Sequence, residues 1–215
     1  MEKRIYTYVL WLAIFTIFYN IIEGLVSIWF GIQDETIALF GFGVDSFIEV
    51  ISGIGILQMV LRIRLNPNLP RSNFEITALR ITGWGFYVLA IGLIVGAILN
   101  FYQGHKPETT LWGIIVSVIS IIVMVGLYKS KIYCGKKLSS EPVIADGRCT
   151  LVCVYMSLIL LASSLIYELT GFGWVDTIGA LGLAWFSYAE GKEALGKAKG
   201  KECCCGHNCD TKVQI

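Results

Sequence analysis

Six long apolar stretches, separated by short polar breaks, limit what this chain can fold into more than any other feature. A helix needs about 20 mainly apolar residues to cross the hydrocarbon core of a bilayer, and each stretch provides them. The predicted spans are 5–30, 36–61, 76–102, 110–128, 143–169 and 175–194. The first stretch is too long for a signal peptide and lacks a small-residue cleavage site, so we expect it to be retained as a span.

Composition supports a membrane protein. Of the 215 residues, 55% are hydrophobic and 15% are charged, and a soluble domain of this size could not bury so much apolar surface. A water-soluble helical bundle is the alternative, and the composition disfavours it. The formal net charge of +1 leaves no basic footprint for nucleic acid. We therefore predict an all-α, multi-pass protein of the cell membrane.

Lysine and arginine predict the orientation, because cytoplasmic loops carry an excess of them. With six spans, nearly all of these residues fall on one side of the membrane, whereas the loops on the other side hold only Lys106. The residues on the basic side are Lys3, Arg4, Arg62, Arg64, Arg71, Lys129, Lys131, Lys136, Lys137, Lys192, Lys197, Lys199, Lys201 and Lys212. Both termini are therefore predicted to be cytoplasmic.

The chain is predicted to have one transmembrane domain, residues 1–195, and a short cytoplasmic tail, residues 196–215. A tail of this length cannot form a hydrophobic core of its own.

Two carboxylates one turn apart mark the second span. Asp45 and Glu49 are spaced i, i+4 and so project from one face of a helix. A carboxylate at the centre of a bilayer costs at least about 2.5–3.5 kcal/mol, so such groups usually face the bundle interior. Two of them repel when ionised, and either a divalent cation or protons would relieve that repulsion. The pair suits exchange of a metal ion for protons; the alternative is a protonated acid that hydrogen-bonds a neighbouring helix.

The fifth span carries an acid and two thiols on one face. Asp146, Cys149 and Cys153 are spaced i, i+3 and i+7, and Cys153 lies at about the same depth as Glu49. We expect the second and fifth helices to meet there. Mixed oxygen and sulfur ligands suit a tetrahedral divalent ion such as zinc. The alternative for the cysteines is ordinary packing, since a free cysteine behaves as a small hydrophobe.

Other polar groups are fewer. Asn20 and Glu23 lie on the first span, and Glu23 is a third candidate acid, either as a transient ligand or as a proton carrier. Asp176 is expected to begin the last helix, where the helix dipole favours a carboxylate, and to have a structural role. The third, fourth and sixth helices are expected to be nearly bare of acids and thiols.

The end of the chain is rich in cysteine. Because the cytoplasm is reducing, metal binding by thiolates is favoured there over disulfides. The candidate ligands for a soft or borderline ion such as Zn²⁺ or Cu⁺ are Cys203, Cys204, Cys205, His207 and Cys209. Their spacing matches no standard zinc finger, so we expect an exchangeable site. A juxtamembrane palmitoylation cluster is the alternative.

Several of these motifs together resemble the cation diffusion facilitator (cation efflux) transporters. The resemblance is carried by the six spans and by LFGFGVDSFIEV at 39–50, by Ala145-Asp146 with Cys153, by WVDTIGAL at 174–181 and by the multi-cysteine end. The resemblance covers essentially the whole chain. These stretches are similar to a small bacterial branch of the family. That branch lacks the cytoplasmic metal-binding domain of larger members, and we hypothesise that the cysteine tail takes its place.

This resemblance implies a homodimer that exports divalent metal, commonly zinc, by alternating access and proton antiport. It places the transport site between the second and fifth helices, with Asp45 and Glu49 opposite Cys149 and Cys153, and with Asp146 one turn before them. The chain departs from the family where His and Asp are usual on the fifth helix, since Cys149 and Cys153 stand there. Glu49 stands where Asp is usual. These departures make the site softer.

The sequence therefore predicts a transporter of a divalent transition metal, Zn²⁺ first among them, with no prosthetic group. Enzyme activity is not expected, because there are two histidines, both outside the spans, and no nucleophile motif. Two alternatives remain. One is a non-transporting metal-binding or regulatory membrane protein that acts through its cysteine tail, and the other is a transporter of small organic cations that uses the same acids.

Overall fold

The computed structural model describes residues 2–34, 36–65, 73–103, 110–138, 141–172 and 174–200. Within these ranges the secondary structure is α-helical, without β-strands, as predicted. The six helices are α1 (Glu2–Gln33), α2 (Ile37–Leu65), α3 (Asn73–Gln103), α4 (Leu111–Leu138), α5 (Glu141–Thr170) and α6 (Trp174–Ala198). The orientation of the termini stays a prediction.

The largest difference from the predicted boundaries is in α4, which was expected to end at residue 128 and instead continues to Leu138. Lys129, Lys131, Lys136 and Lys137 were expected in the connection between the fourth and fifth helices, and that prediction is wrong because all four lie in α4. The thickness of the bilayer limits the apolar part of a helix, but backbone hydrogen bonds continue beyond it. Lys129 is exposed on this extension, whereas Lys131 is buried.

Among the described residues, five helices contain a segment long and apolar enough to cross a membrane, and α6, predicted as the sixth span, is not one of them. The chain is a multi-pass membrane protein. These segments are Arg4–Gln33, Ile37–Arg62, Ile76–Tyr102, Leu111–Leu138 and Asp146–Thr170. The second half of α6 is more polar, because Glu190, Lys192, Glu193 and Lys197 lie in it.

The outer face of α1 shows what surrounds the bundle. Large apolar side chains recur there every three or four residues and are all more than half exposed: Trp11, Phe15, Phe18, Ile22, Leu25 and Trp29. A stripe of this size would be unfavourable in water, and in a bilayer it faces lipid.

The helices pack mainly as three pairs, α1 with α2, α4 with α5, and α3 with α6, and α2 also contacts α3, α5 and α6. The main core includes Leu39 of α2, Leu160 of α5 and Leu183 of α6, which are fully buried. Gly43 lets α1 and α2 approach closely, since a Cβ there would lie 2.8 Å from the backbone nitrogen of Ile28. The central position of α2 brings its polar side chains against several helices at once.

Carboxylates tie helix ends together at one end of the bundle. Asp176, in the first turn of α6, accepts hydrogen bonds from the backbone N–H groups of Ile37 (3.0 Å) and Ala38 (3.2 Å). Its structural role was expected at the start of its own helix, but it caps the first turn of α2 instead. Glu168 accepts hydrogen bonds from the backbone N–H (3.2 Å) and side-chain hydroxyl (3.0 Å) of Thr110, just before α4.

Candidate metal-binding site

Glu49 of α2 and Cys153 of α5 meet near the middle of their helices. The Cys153 thiol donates a hydrogen bond of 2.7 Å to Glu49 Oε1. The two residues lie 104 positions apart in sequence, and their matching depth had suggested this contact. The structure thus brings together one carboxylate and one thiol, each a group that can bind a divalent metal after losing its proton.

The second oxygen of the same carboxylate is held from α1. Asn20 donates a hydrogen bond of 2.9 Å from Nδ2 to Glu49 Oε2. With both oxygens engaged, the Glu49 side chain is fixed in orientation by two other helices. Asn20 is therefore a positioning residue for Glu49, a role that sequence alone did not assign to it.

A cavity of about 90 Å³ lies beside the Glu49–Cys153 contact, and residues from all six helices line it. Its polar and charged lining residues are Thr16, Asn20, Glu49, Ser52, Thr82, Lys131, Asp146, Cys149, Thr150, Cys153, Glu190 and Lys197. Apolar walls come from residues such as Phe86, Met124 and Met156. Polar groups that converge between apolar walls are typical of a ligand-binding site.

Asp45 lies one helical turn from Glu49 but does not line this cavity. It is 2% exposed, and its Oδ1 atom has no hydrogen-bond partner among the residues that the structure describes. Its charge lies within electrostatic reach of Glu49, Glu190 and Glu23. The predicted pair is therefore present on one helix face, with Glu49 at the cavity and Asp45 enclosed behind it. A buried oxygen without a partner requires an explanation, and a cation would provide one.

Asp146 is paired with a buried lysine rather than with the other candidate ligands. Lys131 Nζ lies 3.1 Å from Asp146 Oδ2 and donates a further hydrogen bond of 3.1 Å to Thr150 Oγ1. The Lys131 side chain is only 4% exposed. Lys131 was expected in a cytoplasmic connection, so its pairing with Asp146 was not predicted.

Cys149 lies at the cavity wall next to a second lysine. Lys197 Nζ of α6 donates a hydrogen bond of 3.2 Å to Cys149 Sγ. The same ammonium group lies 2.7 Å from Glu193 Oε1, one turn earlier on α6. Cys149 is thus close to the cavity but in contact with a cation, whereas Cys153 is in contact with a carboxylate.

Glu23, the third candidate acid, is held away from the cavity. Its Oε1 accepts a hydrogen bond of 2.9 Å from the Tyr19 hydroxyl, and its Oε2 accepts one of 3.1 Å from Ser46. It is 6% exposed. Ser46 directly follows Asp45 on α2. Glu23 is not among the residues that line the cavity.

Glu190 of α6 lines the cavity, although the sixth helix was expected to be nearly bare of such groups. That expectation is wrong for this residue. A signal was available in the sequence, because Glu190 follows the buried residues Leu183 and Ser187 by seven and three positions. The charges at the end of α6 had instead been assigned to the cytoplasmic surface.

No three His, Cys, Asp or Glu side chains within the described ranges are grouped closely enough to hold a metal together. The proposed ligands are thus neighbours that would have to converge on an ion. The tail candidates, Cys203, Cys204, Cys205, His207 and Cys209, lie outside the described residues.

The sequence of this chain is similar to those of known membrane proteins. Residues 12–195 match the family model described as the cation efflux transmembrane domain. A similar protein is the manganese efflux system protein MneP of Bacillus subtilis (strain 168), which is 24% identical over 138 residues. The aligned segment is 62% of this chain and 46% of that relative, so the chain spans about half the length of the curated relative that it matches.

Proposed function

Because this chain belongs to the cation efflux family, we propose that it exports a divalent transition metal, Zn²⁺ first among them, in exchange for protons. The relative MneP is a manganese efflux system protein by name, which supports metal export as the general activity. Alternating access, proton antiport and a homodimer, all implied by the resemblance, are parts of this proposal.

The contact between Glu49 and Cys153 is the observation that carries the proposal. The thiol proton lies between Sγ and a carboxylate oxygen 2.7 Å away. A divalent ion that binds both atoms replaces this proton, so the thiol becomes a thiolate and one proton leaves the protein. Reprotonation of the thiolate then favours release of the ion and restores the hydrogen bond to the carboxylate. Exchange of metal for protons follows from the chemistry of these two groups.

Asp45 and Cys149 are proposed to complete the metal's ligand shell. Asp45 Oδ1 is buried without a partner among the described residues, which supports a ligand role that the metal-free arrangement leaves unused. Cys149 lies one turn before Cys153 on the same face of α5. Two carboxylates and two thiolates would give the tetrahedral coordination that Zn²⁺ prefers.

The thiols favour zinc over manganese. Soft thiolate ligands select zinc and similar ions, whereas carboxylate, carbonyl and water ligands suit Mn²⁺. Divalent affinities also rise from Mn²⁺ towards Zn²⁺ in a typical site. We therefore propose that Cys149 and Cys153 give this chain a preference for Zn²⁺ and Cd²⁺ over Mn²⁺, although its relative is named for manganese.

Transport by the purified protein in liposomes tests this function. We expect Zn²⁺ uptake, accompanied by movement of protons in the opposite direction, and we expect Glu49→Gln or Cys153→Ala to abolish both. Cys134→Ala is the matched control, because Cys134 is a buried thiol in a separate apolar cluster. Full Zn²⁺ transport by Glu49→Gln and Cys153→Ala would contradict the site, and absence of metal transport in the unmodified protein would contradict the function.

A further inference from the structure

Among the described residues, five side chains that carry a carboxylate or a thiol line the cavity: Glu49, Asp146, Cys149, Cys153 and Glu190. The first four are each held by a neighbouring side chain, as described above. The carboxylate of Glu190 has no hydrogen bond or salt bridge with any other residue that the structure describes. It is therefore the ligand group at the cavity that can turn towards an ion without first breaking a contact.

Glu190 lines the same cavity as Glu49 and Cys149. Its charge is within electrostatic reach of Glu49 and Cys149. The charge also acts on Asp45, which is 2% exposed and has an oxygen without a partner in the described structure. The helix that carries Glu190 packs against α2 and α5, the helices that carry Glu49 and Cys153.

The charges at the cavity also favour a role for Glu190. The ammonium group of Lys131 is balanced by Asp146, and that of Lys197 by Glu193. Glu190 forms no salt bridge with a described residue, although the Lys197 ammonium group lies within its electrostatic reach.

We propose that Glu190 of α6 is a further ligand of the transported metal, contributing one carboxylate oxygen from a third helix beside the four ligands proposed above. This inference rests on the proposed function and extends it, because the site then joins α2, α5 and α6. A shell that contains thiolate as well as carboxylate ligands suits a borderline or soft divalent ion such as Zn²⁺ or Cd²⁺. Binding of the ion would also link the movement of α6 to that of the other two helices.

Zn²⁺ affinity of the purified full-length protein in detergent tests this assignment. Glu190→Gln keeps the shape of the side chain and removes its charge, and we expect the affinity for Zn²⁺ to fall at least about tenfold. The thermal unfolding of the metal-free protein should stay unchanged. Glu168→Gln is the matched control, because Glu168 lies near the far end of α5 and does not line the cavity.

A thiol at the same position gives a second, positive test that does not depend on affinity. Glu190→Cys should retain Cd²⁺ binding and increase the ultraviolet charge-transfer absorption of the Cd²⁺-loaded protein, since one more sulfur joins the shell. Glu168→Cys should leave that absorption unchanged. An unchanged absorption in Glu190→Cys would overturn the ligand assignment, whatever the affinity of Glu190→Gln.

The outcomes separate this inference from the function on which it rests. If Glu190→Gln binds Zn²⁺ as tightly as the unmodified protein while Glu49→Gln does not bind it, the role of Glu190 is wrong and the proposed function stands. If the unmodified protein binds neither Zn²⁺ nor Cd²⁺, the proposed function itself fails.

Discussion

Carboxylates lie in two regions of this bundle, and their partners differ. At one end, Asp176 binds the backbone N–H groups at the start of α2, and Glu168 binds the backbone N–H of Thr110. At the cavity, Glu49 is held by the side chains of Cys153 and Asn20. A backbone N–H at a helix start cannot leave without local unfolding, whereas a side chain can rotate away. The same chemical group is therefore structural in one region and available for exchange in the other.

Asp146 does not fit this division simply, because it lines the cavity and yet forms a salt bridge with the buried Lys131. Asp146→Asn would leave the Lys131 ammonium buried and uncompensated. We expect the free energy of unfolding to fall by about 3–5 kcal/mol, which is the usual cost of breaking a buried ion pair on one side. Denaturant unfolding of the detergent-solubilised protein measures this change in the free energy of unfolding.

The double variant Lys131→Met with Asp146→Asn is the control, since it removes both charges and should recover most of the stability. If Asp146→Asn is as stable as the unmodified protein, the ion pair is not structural and Asp146 belongs with the exchangeable groups.

Asp176 belongs to the region in which carboxylates bind backbone N–H groups. Asp176→Ala removes the acceptor of two backbone hydrogen bonds at the start of α2. We expect a loss of about 1–3 kcal/mol in the free energy of unfolding, typical of leaving buried donors unsatisfied. Zn²⁺ affinity of the folded protein, measured by calorimetry, should not change. A large fall in affinity without a loss of stability would move Asp176 into the functional region.

Lys197 is the cation that holds one of the proposed ligands at the cavity. Its ammonium group contacts Cys149 Sγ, so a metal must displace it to reach that thiol. Lys197→Met should tighten Zn²⁺ binding by about 0.2–1 kcal/mol, which is the range for a partly exposed charge contact. Lys199→Met is the control, because Lys199 follows α6, is exposed and does not line the cavity. Weaker binding in Lys197→Met alone would argue that Cys149 is not a ligand.

Sequence spacing predicted the Glu49–Cys153 contact, because depth along a helix follows from residue number and the face follows from the helical period. The same reasoning could not separate Asp45 from Glu49. Which side of a shared face opens onto a cavity depends on how each helix rotates and tilts against its neighbours, and packing sets both. Spacing within one helix carries no information about them.

Lys131 and Glu190 were not predicted at the cavity for a related reason. Lys131 was assigned to a loop because hydropathy marks where the apolar part of a helix ends, not where the helix ends. Glu190 was overlooked because it lies among surface charges on α6, although its position continues the buried stripe of that helix. Partners from other helices decided the role of each acid, and only the folded arrangement shows them.

Proton release upon Zn²⁺ binding tests the central claim most directly, since that claim is an exchange of metal for the proton between Cys153 and Glu49. Calorimetric titrations of the purified protein in buffers of different ionisation enthalpy count the protons released per ion. We predict that the unmodified protein releases at least one proton and that Cys153→Ala releases one fewer, while Cys134→Ala matches the unmodified protein. Equal proton release by the unmodified protein and Cys153→Ala would contradict the account.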